Sequence, residues 1–257
     1  VVSSAAVGLK EQQEVNKQLD RQKKVLGVAG LMAEGAQLTQ QQVESMYTKR
    51  IKPIVIDLKS GAEDKEATKS AADFDQLKRS KDLTTSAPAP KNLAGVRRVP
   101  NQALVFLVSA KDMAEDGSGF ELSQYIFPVE GKGLWSTLYG YVALKPDFNE
   151  VRGLTFYQHA ETPGLGGEVD NPGWKAKWPG RYVYGPKGTS ASKFGKVKLK
   201  VIKGAAGSPE KAPHAVDGLS GATITSNGVS HLLSFWLGKN GYAPYITKVA
   251  AAAGGKE

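Results

Sequence analysis

Residues 217–229 read DGLSGATITSNGV, a stretch dominated by glycine, serine and threonine. Glycine and alanine let a ligand approach the backbone closely. Thr223 and Thr225 add two hydroxyls, and the apolar run that follows predicts a helix. The first turn of a helix presents unpaired N–H groups and a partial positive charge, worth about 0.3–1 kcal/mol to an exposed anion. The stretch therefore reads as an anion site suited to a phosphate. A structural reading competes: Thr225 or Ser226 caps the helix, contributing about 1 kcal/mol, and capping is the commoner use of such residues. Two more glycine loops occur, GKGLWS at 131–136 and ETPGLGGEV at 161–169. Three such loops exceed what turns need and point to a bound planar or phosphorylated ligand.

Other chemistries find no support. The phosphate-binding pattern GxxxxGK[ST] is absent, and so is a dinucleotide fingerprint placed after a strand. The hydrolase elbow GxSxG is missing, and Ser220 has no histidine at a spacing that would make it a nucleophile, His214 included. The chain has no cysteine, which excludes thiolate metal sites, protein-held iron–sulfur clusters and cysteine nucleophiles. His159, His214 and His231 show no metal-ligand spacing and read as surface or structural residues. The net charge of +9 suits nucleic acid, a membrane surface or an anionic cofactor. The lysines are interspersed with acids and form no nucleic-acid-reading motif, so no nucleic-acid partner is expected.

These loops need elements to hold them. Across 257 residues with 40% hydrophobic content, one large domain with an appended segment is expected. The opening VVSSAAVGL resembles the tail of a removed signal or membrane anchor, and nothing approaches the ~18–20 apolar residues of a membrane span. LKEQQEVNKQLDRQKKVLGVAGL, with apolar positions at Val15, Leu19 and Leu26, predicts a solvated connecting helix that ends near Gly27 and Gly30. TQQQVESMYTKRI predicts a short helix and PIVIDL an extended run. Residues 60–95 read as the least structured part, with TTSAPAPKN as linker. From residue 96, ALVFLVSA, LSQYIFPV, LWSTLYGYVALKP and VRGLTFYQHAE predict strands, the last two parted by the turn PDFNE. GKVKLKVIKG alternates lysine with aliphatics and predicts a strand with one wet face. SNGVSHLLSFWLGKNGY predicts a final helix, apolar at Val229, Leu232, Leu233, Phe235, Trp236 and Leu237 and stopped by Gly238. The class is α+β, a mostly antiparallel sheet packed with helices. The expected divisions are a juxtamembrane helical segment at 1–35, a variable helical and loop segment at 36–95, and a ligand-binding domain at 96–257.

DGLSGAT resembles the motif of covalently flavinylated FMN-binding domains, in which a flavin transferase esterifies the last threonine with the phosphate of FMN. Together with GKGLWS, ETPGLGGEV, VDGLSGATITSNGV and FWLGKNGYAP, it resembles the C subunit of bacterial sodium-translocating NADH:quinone reductases over nearly the whole chain. The flavinylated G subunit of Rnf-type electron-transport complexes shares the SGAT and ETPGLG loops. The long front segment and the NGV…FWLGKNGY ending favour the sodium pump. A non-redox, membrane-anchored assembly module is the contrasting possibility.

The resemblance implies an electron-relay subunit with covalent FMN on Thr223, Thr225 being the alternative attachment point. It implies that Gly221 and Ala222 keep the approach open, that Ser220 donates a hydrogen bond to the phosphate, and that Asp217 orients the loop or assists transfer. Lys132 and Lys203 would supply cations to the phosphate or reduced flavin. Trp135 and Leu165 would pack against the isoalloxazine, Trp135 serving otherwise as core. Glu161 and Thr162 would hydrogen-bond the ring edge, and Thr225 with Ser226 would start the helix. The implied partners are the other subunits of a bacterial inner-membrane complex. The implied topology is single-pass, with this domain on the periplasmic side and the membrane helix absent from this chain, as in a truncated or processed protein.

Overall fold

The computed structural model describes the backbone of residues 2–254, with side chains from residue 13 onward except at 14, 191 and 254. The side chains of the opening run VVSSAAVGL thus lie outside the described residues. Helix α1 (Val2–Val28) is followed by α2 (Gln40–Arg50), whose N-terminus is closed by a capping box between Thr39 and Gln42. Strand β1 (Ile51–Asp57) and the short β2 (Ala62–Glu63) come next, then helices α3 (Lys65–Thr68) and α4 (Gln76–Lys81). A small antiparallel pair, β3 (Ser86–Pro88) with β4 (Arg98–Pro100), precedes β5 (Gln102–Ser109), β6 (Leu122–Lys132), β7 (Thr137–Leu144) and β8 (Val151–Gln158). The chain continues through α5 (Pro172–Lys175) and the two-residue strands β9 (Lys200–Val201) and β10 (Ala215–Val216) to α6 (Thr223–Trp236) and α7 (Ala243–Gly254).

Six strands form one antiparallel sheet in the order β2-β1-β5-β6-β7-β8. The α+β class and antiparallel sheet expected from the pattern are what the chain forms. Both faces of the sheet are covered, which explains why ALVFLVSA is apolar without a break. Ala103 and Val105 of β5 face one core with Phe127, Val142, Trp178 and the α6 residues Val229, Leu232 and Trp236. Leu104, Phe106 and Val108 face a second core with Val25, Leu26 and Val43 of α1 and α2.

Several expectations are corrected. The first helix is not merely a solvated connector: Val25 and Leu26 are fully buried and its end packs on β7 and β8, because the sheet's second face needs a cover. Residues 60–95 are ordered. Asp64 and Asp75 cap α3 and α4 with their side chains, and β3 lies inside the linker-like TTSAPAPKN. The sheet also draws β1 from before residue 96, paired with β5 from Ile51↔Val108 to Asp57↔Gln102.

GKVKLKVIKG yields only β9, paired in parallel with β10. Its inward residues Leu199 and Val201 are buried as the alternation requires. Only Lys200 and Ile202 donate to the ladder, at the carbonyls of His214 and Val216; Lys198 and Leu199 give their N–H groups to the Val183 carbonyl and Val201 gives its own to the Ser230 hydroxyl. The helix holding the apolar face begins at Thr223, and α7 follows it.

Helix α6 lies hard against the end of β6. A Cβ on Gly228 would meet the Lys132 carbonyl oxygen at 2.3 Å, and one on Gly131 would meet Leu232 Cβ at 2.5 Å. Gly228→Ala is therefore expected to cost about 1–3 kcal/mol, seen as a lower urea midpoint at unchanged slope. An unchanged midpoint would show that α6 can shift without penalty.

Candidate functional site

The two glycine loops named above converge on one side chain. Glu161 follows β8 and is only 5% exposed. Its Oε1 accepts hydrogen bonds from the backbone N–H of Trp135 (3.0 Å), the N–H of Ser136 (2.9 Å) and the Ser136 hydroxyl (2.9 Å). Its Oε2 accepts from the N–H of Leu134 (3.1 Å) and the Thr225 hydroxyl (2.6 Å). One carboxylate thus ties the β6–β7 loop, the segment after β8 and the first turn of α6 together. Burial opposes ionisation, but the bonds from Thr225, Ser136 and Leu134 outweigh it and hold the carboxyl down at about 2.

The surroundings complete this knot. The Glu161 N–H donates to His159 Nδ1 (3.2 Å), which leaves the proton on Nε2 to face Asp170 (2.8 Å). The Ala160 N–H donates to the Ser136 hydroxyl (2.9 Å).

One glycine in each loop owes its place to this carboxylate. A Cβ on Gly133 would meet Glu161 Oε1 at 2.6 Å, and one on Gly166 would meet Thr225 Oγ1 at 2.6 Å and Glu161 Oε2 at 2.7 Å. They clear room for an internal anion, where the sequence suggested room for a ligand. Glu161 is accordingly turned inward, with its acceptors spent on the protein, and the expectation that it reaches a ring edge is corrected. Thr162 is exposed, and its carbonyl accepts from the N–H groups of Leu165 and Gly167.

The two threonines separate cleanly. Thr225 is fully buried with its hydroxyl committed to Glu161, and the Ser226 hydroxyl accepts from the Leu219 N–H at 3.0 Å. Neither caps the helix, contrary to expectation. The residue before the helix is Ala222, which offers no side-chain acceptor, so the first-turn N–H groups of α6 lack a side-chain cap. Thr223 is the first helical residue and is exposed, with Ser220 and Gly221 exposed beside it. The Ala222 N–H closes a turn onto the Leu219 carbonyl (3.1 Å), with Gly221 at its third position at φ +68°. Glycine meets that requirement, and it also leaves space, since a Cβ there would meet Leu165 Cδ2 at 2.9 Å.

Leu134 (40% exposed), Trp135 (70%), Leu165 (43%) and Ile224 (57%) stand on these same three segments. They are four of the seven exposed large hydrophobic residues among those described, so the exposed apolar surface concentrates beside Thr223. Trp135 is therefore not core. Leu134 and Ile224 were missed in the sequence, since exposure of an apolar side chain leaves no local signal.

Asp217 lies further back in the motif. Its carboxylate takes Lys177 Nζ and the Ala206 N–H (2.8 Å), and its carbonyl accepts the Trp174 indole N–H (2.8 Å). Burial resists its charge, but Lys177, the Ala206 amide and Arg181 overcome this and lower its pKa. It fastens the motif to α5 and to the turn at 203–207. Lys132 is exposed at the end of β6 beside the Leu134–Trp135 loop. Lys203 is exposed in the turn where the Gly218 N–H meets the Gly204 carbonyl.

The Glu161 knot makes the fold acid-sensitive. Its folded pKa lies below the unfolded value, so its stabilisation is present above about pH 5 and is lost as pH falls towards 2, a difference of about 3 kcal/mol. Glu161→Gln is expected to lower stability at pH 7 and to flatten the acid limb of the stability curve. Parallel acid limbs for the two proteins, measured by urea unfolding from pH 2 to 7, would contradict the assignment.

The FMN-binding domain family matches residues 133–238, a span that contains all three segments of the site. The chain is 40% identical to the C subunit of the Na(+)-translocating NADH-quinone reductase of Yersinia pestis, covering 98% of this chain and 88% of that one. It is 43% identical to the corresponding Pseudomonas aeruginosa protein, over 96% of this chain and 89% of that one. The crystal structure of NqrC from Shewanella oneidensis superposes with a TM-score of 0.77 at 34% identity, over 92% of this chain and 99% of that one. With fold and sequence in agreement along nearly its whole length, the chain belongs to the C-subunit family of Na(+)-translocating NADH-quinone reductases.

Proposed function

We propose that this chain is an electron-relay subunit of a sodium-pumping NADH:quinone reductase and carries FMN as a phosphoester on Thr223. The subunit role follows from family membership, and FMN from the domain that spans the site. The observation that carries the attachment point is the contrast between the two hydroxyls. Thr223 is exposed at an uncapped helix start, whereas Thr225 is fully buried and bonded to Glu161.

The residues present fit such a group. The uncapped first turn of α6 offers N–H groups and a favourable dipole to a phosphate. Gly221 and Ala222 keep side chains out of the way, and the exposed Ser220 hydroxyl has a proton to donate. Trp135 and Leu165, joined by Leu134 and Ile224, offer an apolar surface to a flat ring, while Thr162 stands exposed at its margin. Lys132 and Lys203 are the cations assigned to the phosphate or the reduced ring. When bound, the flavin supplies one- and two-electron chemistry, and the protein supplies its position and tuning. An ester bond keeps the cofactor in place whatever the surrounding FMN concentration.

In this reading the domain faces the periplasm, held at the bacterial inner membrane by a helix outside this chain and matured by a flavin transferase. No helix among the described residues is long and apolar enough to cross a membrane. Electrons arrive from, and leave to, other members of the complex.

Peptide mass spectrometry of protein made together with the transferase is expected to find one FMN adduct, on the peptide bearing Thr223. Thr223→Ala should abolish it. Thr225→Val, which keeps side-chain shape but removes the bond to Glu161, should leave an adduct on Thr223, in reduced yield. Labelling that survives Thr223→Ala would move the attachment elsewhere.

A further inference from the structure

Strand β8 ends the six-stranded sheet and pairs with β7 alone. In an antiparallel edge strand, every second residue points its N–H and C=O away from the neighbouring strand. At the start of β8 these groups are engaged: the Val151 N–H donates to the Arg181 carbonyl (2.8 Å), and the Val151 carbonyl accepts from the Gly180 N–H (3.0 Å). From Arg152 to Gln158 the outward groups bond to none of the described residues. Such an edge is a template for a further strand.

A groove of ≈460 Å³ lies along this edge, and its walls fix its position. One wall is the end of α1 and the chain after it as far as Ala36, on the sheet face opposite α6. The other is Lys175 of α5 with Pro179, on the face where Trp174 and Trp178 pack. The floor is four consecutive residues of β8, from Arg152 to Thr155. Successive strand residues point to opposite faces, so a space that meets all four and both walls must lie at the edge. Gly153 has no side chain, and Leu154 and Thr155 are buried, so the floor presents mostly backbone. The groove is also positively charged: Lys23, Lys24, Arg152 and Lys175 stand against Asp20 and Glu34. Glu34 pairs with Lys175, whereas Lys23, Lys24 and Arg152 have no ion pair among the described residues. A second copy of the chain laid edge to edge would set these cations against their like, which is unfavourable. Unpaired strand backbone flanked by free cations fits an extended peptide that carries carboxylates.

We propose that β8 accepts an extended acidic segment of a partner protein as an added strand, bonded by its backbone to the edge at Arg152–Thr155 and by its carboxylates to Lys23, Lys24 and Arg152. The surface begins at the end of β8 remote from Glu161 and is independent of the flavin reading.

The test titrates the peptide acetyl-Glu-Thr-Val-Glu-Val-Thr-Glu-amide into the ¹⁵N-labelled full chain and follows the backbone amides by NMR. Saturable shifts are expected at Arg152–Thr155 and in the chain following α1. Two further peptides carry N-methyl groups on alternate amides, one on the even positions and one on the odd. Only one of these sets faces β8, so one methylated peptide should bind at least about tenfold more weakly than the other. A peptide with lysine in place of each glutamate should bind at least about tenfold more weakly than the parent, and so should the parent to the double variant Lys23→Glu/Arg152→Glu. No saturable shift at these amides up to about 10 mM, equal binding of the two methylated peptides, or undiminished binding of the lysine peptide would overturn the proposal. Undiminished binding by a folded double variant would do the same. Should that variant not fold, the methylated and lysine peptides on the unmodified chain decide.

Discussion

The site depends on one buried carboxylate. Placing a charge in a protein interior is costly unless hydrogen bonds replace its water. Glu161 meets this cost with five donors from two other segments. Charge-assisted bonds are the stronger kind, and these cross between segments far apart in the chain. The Leu134–Ser136 loop, the ETPGLGG loop and the first turn of α6 are thereby held as one unit. Remove the charge, and three backbone N–H groups and two hydroxyls lose their acceptor together.

This constraint explains the division of labour along DGLSGATITSNGV. A helix turn places residues 223 and 225 on different sides. Thr225 faces inward to the carboxylate, so Thr223 faces solvent at the open end of the helix. Capping, the commoner use for such residues, is not what they do here. The missing cap leaves the α6 N-terminus available to an anion. Leu134, Trp135, Leu165 and Ile224 follow from the same arrangement, because each stands on a segment that Glu161 or its partner Thr225 pins.

The sheet divides the molecule into two chemical faces. One carries α6 and the flavin reading; the other is covered by α1 and α2. Strand alternation accounts for both, since neighbouring residues such as Val105 and Phe106 point to opposite cores. It also accounts for the order in α1, whose polar sequence looks solvated although its last turns are buried.

Local pattern was enough for the antiparallel strands β5 to β8, the turn at PDFNE, and the apolar face of α6 with Val229, Leu232 and Trp236. Each depends on a period of two or of 3.6 residues that neighbouring side chains already display. The motif's resemblance pointed to Thr223, which remains the proposed attachment point. Tertiary structure alone decided the rest. Whether GKVKLKVIKG becomes a strand depends on finding a ladder partner, and only two residues find one. Whether Thr225 caps a helix or binds Glu161, 64 residues away, cannot be read locally, because a hydroxyl bonds whatever acceptor the fold brings nearest. The same holds for Gly133 of GKGLWS and Gly166 of ETPGLGG. The sequence shows that something must come close to them, and only the packed loops show that it is the protein's own carboxylate.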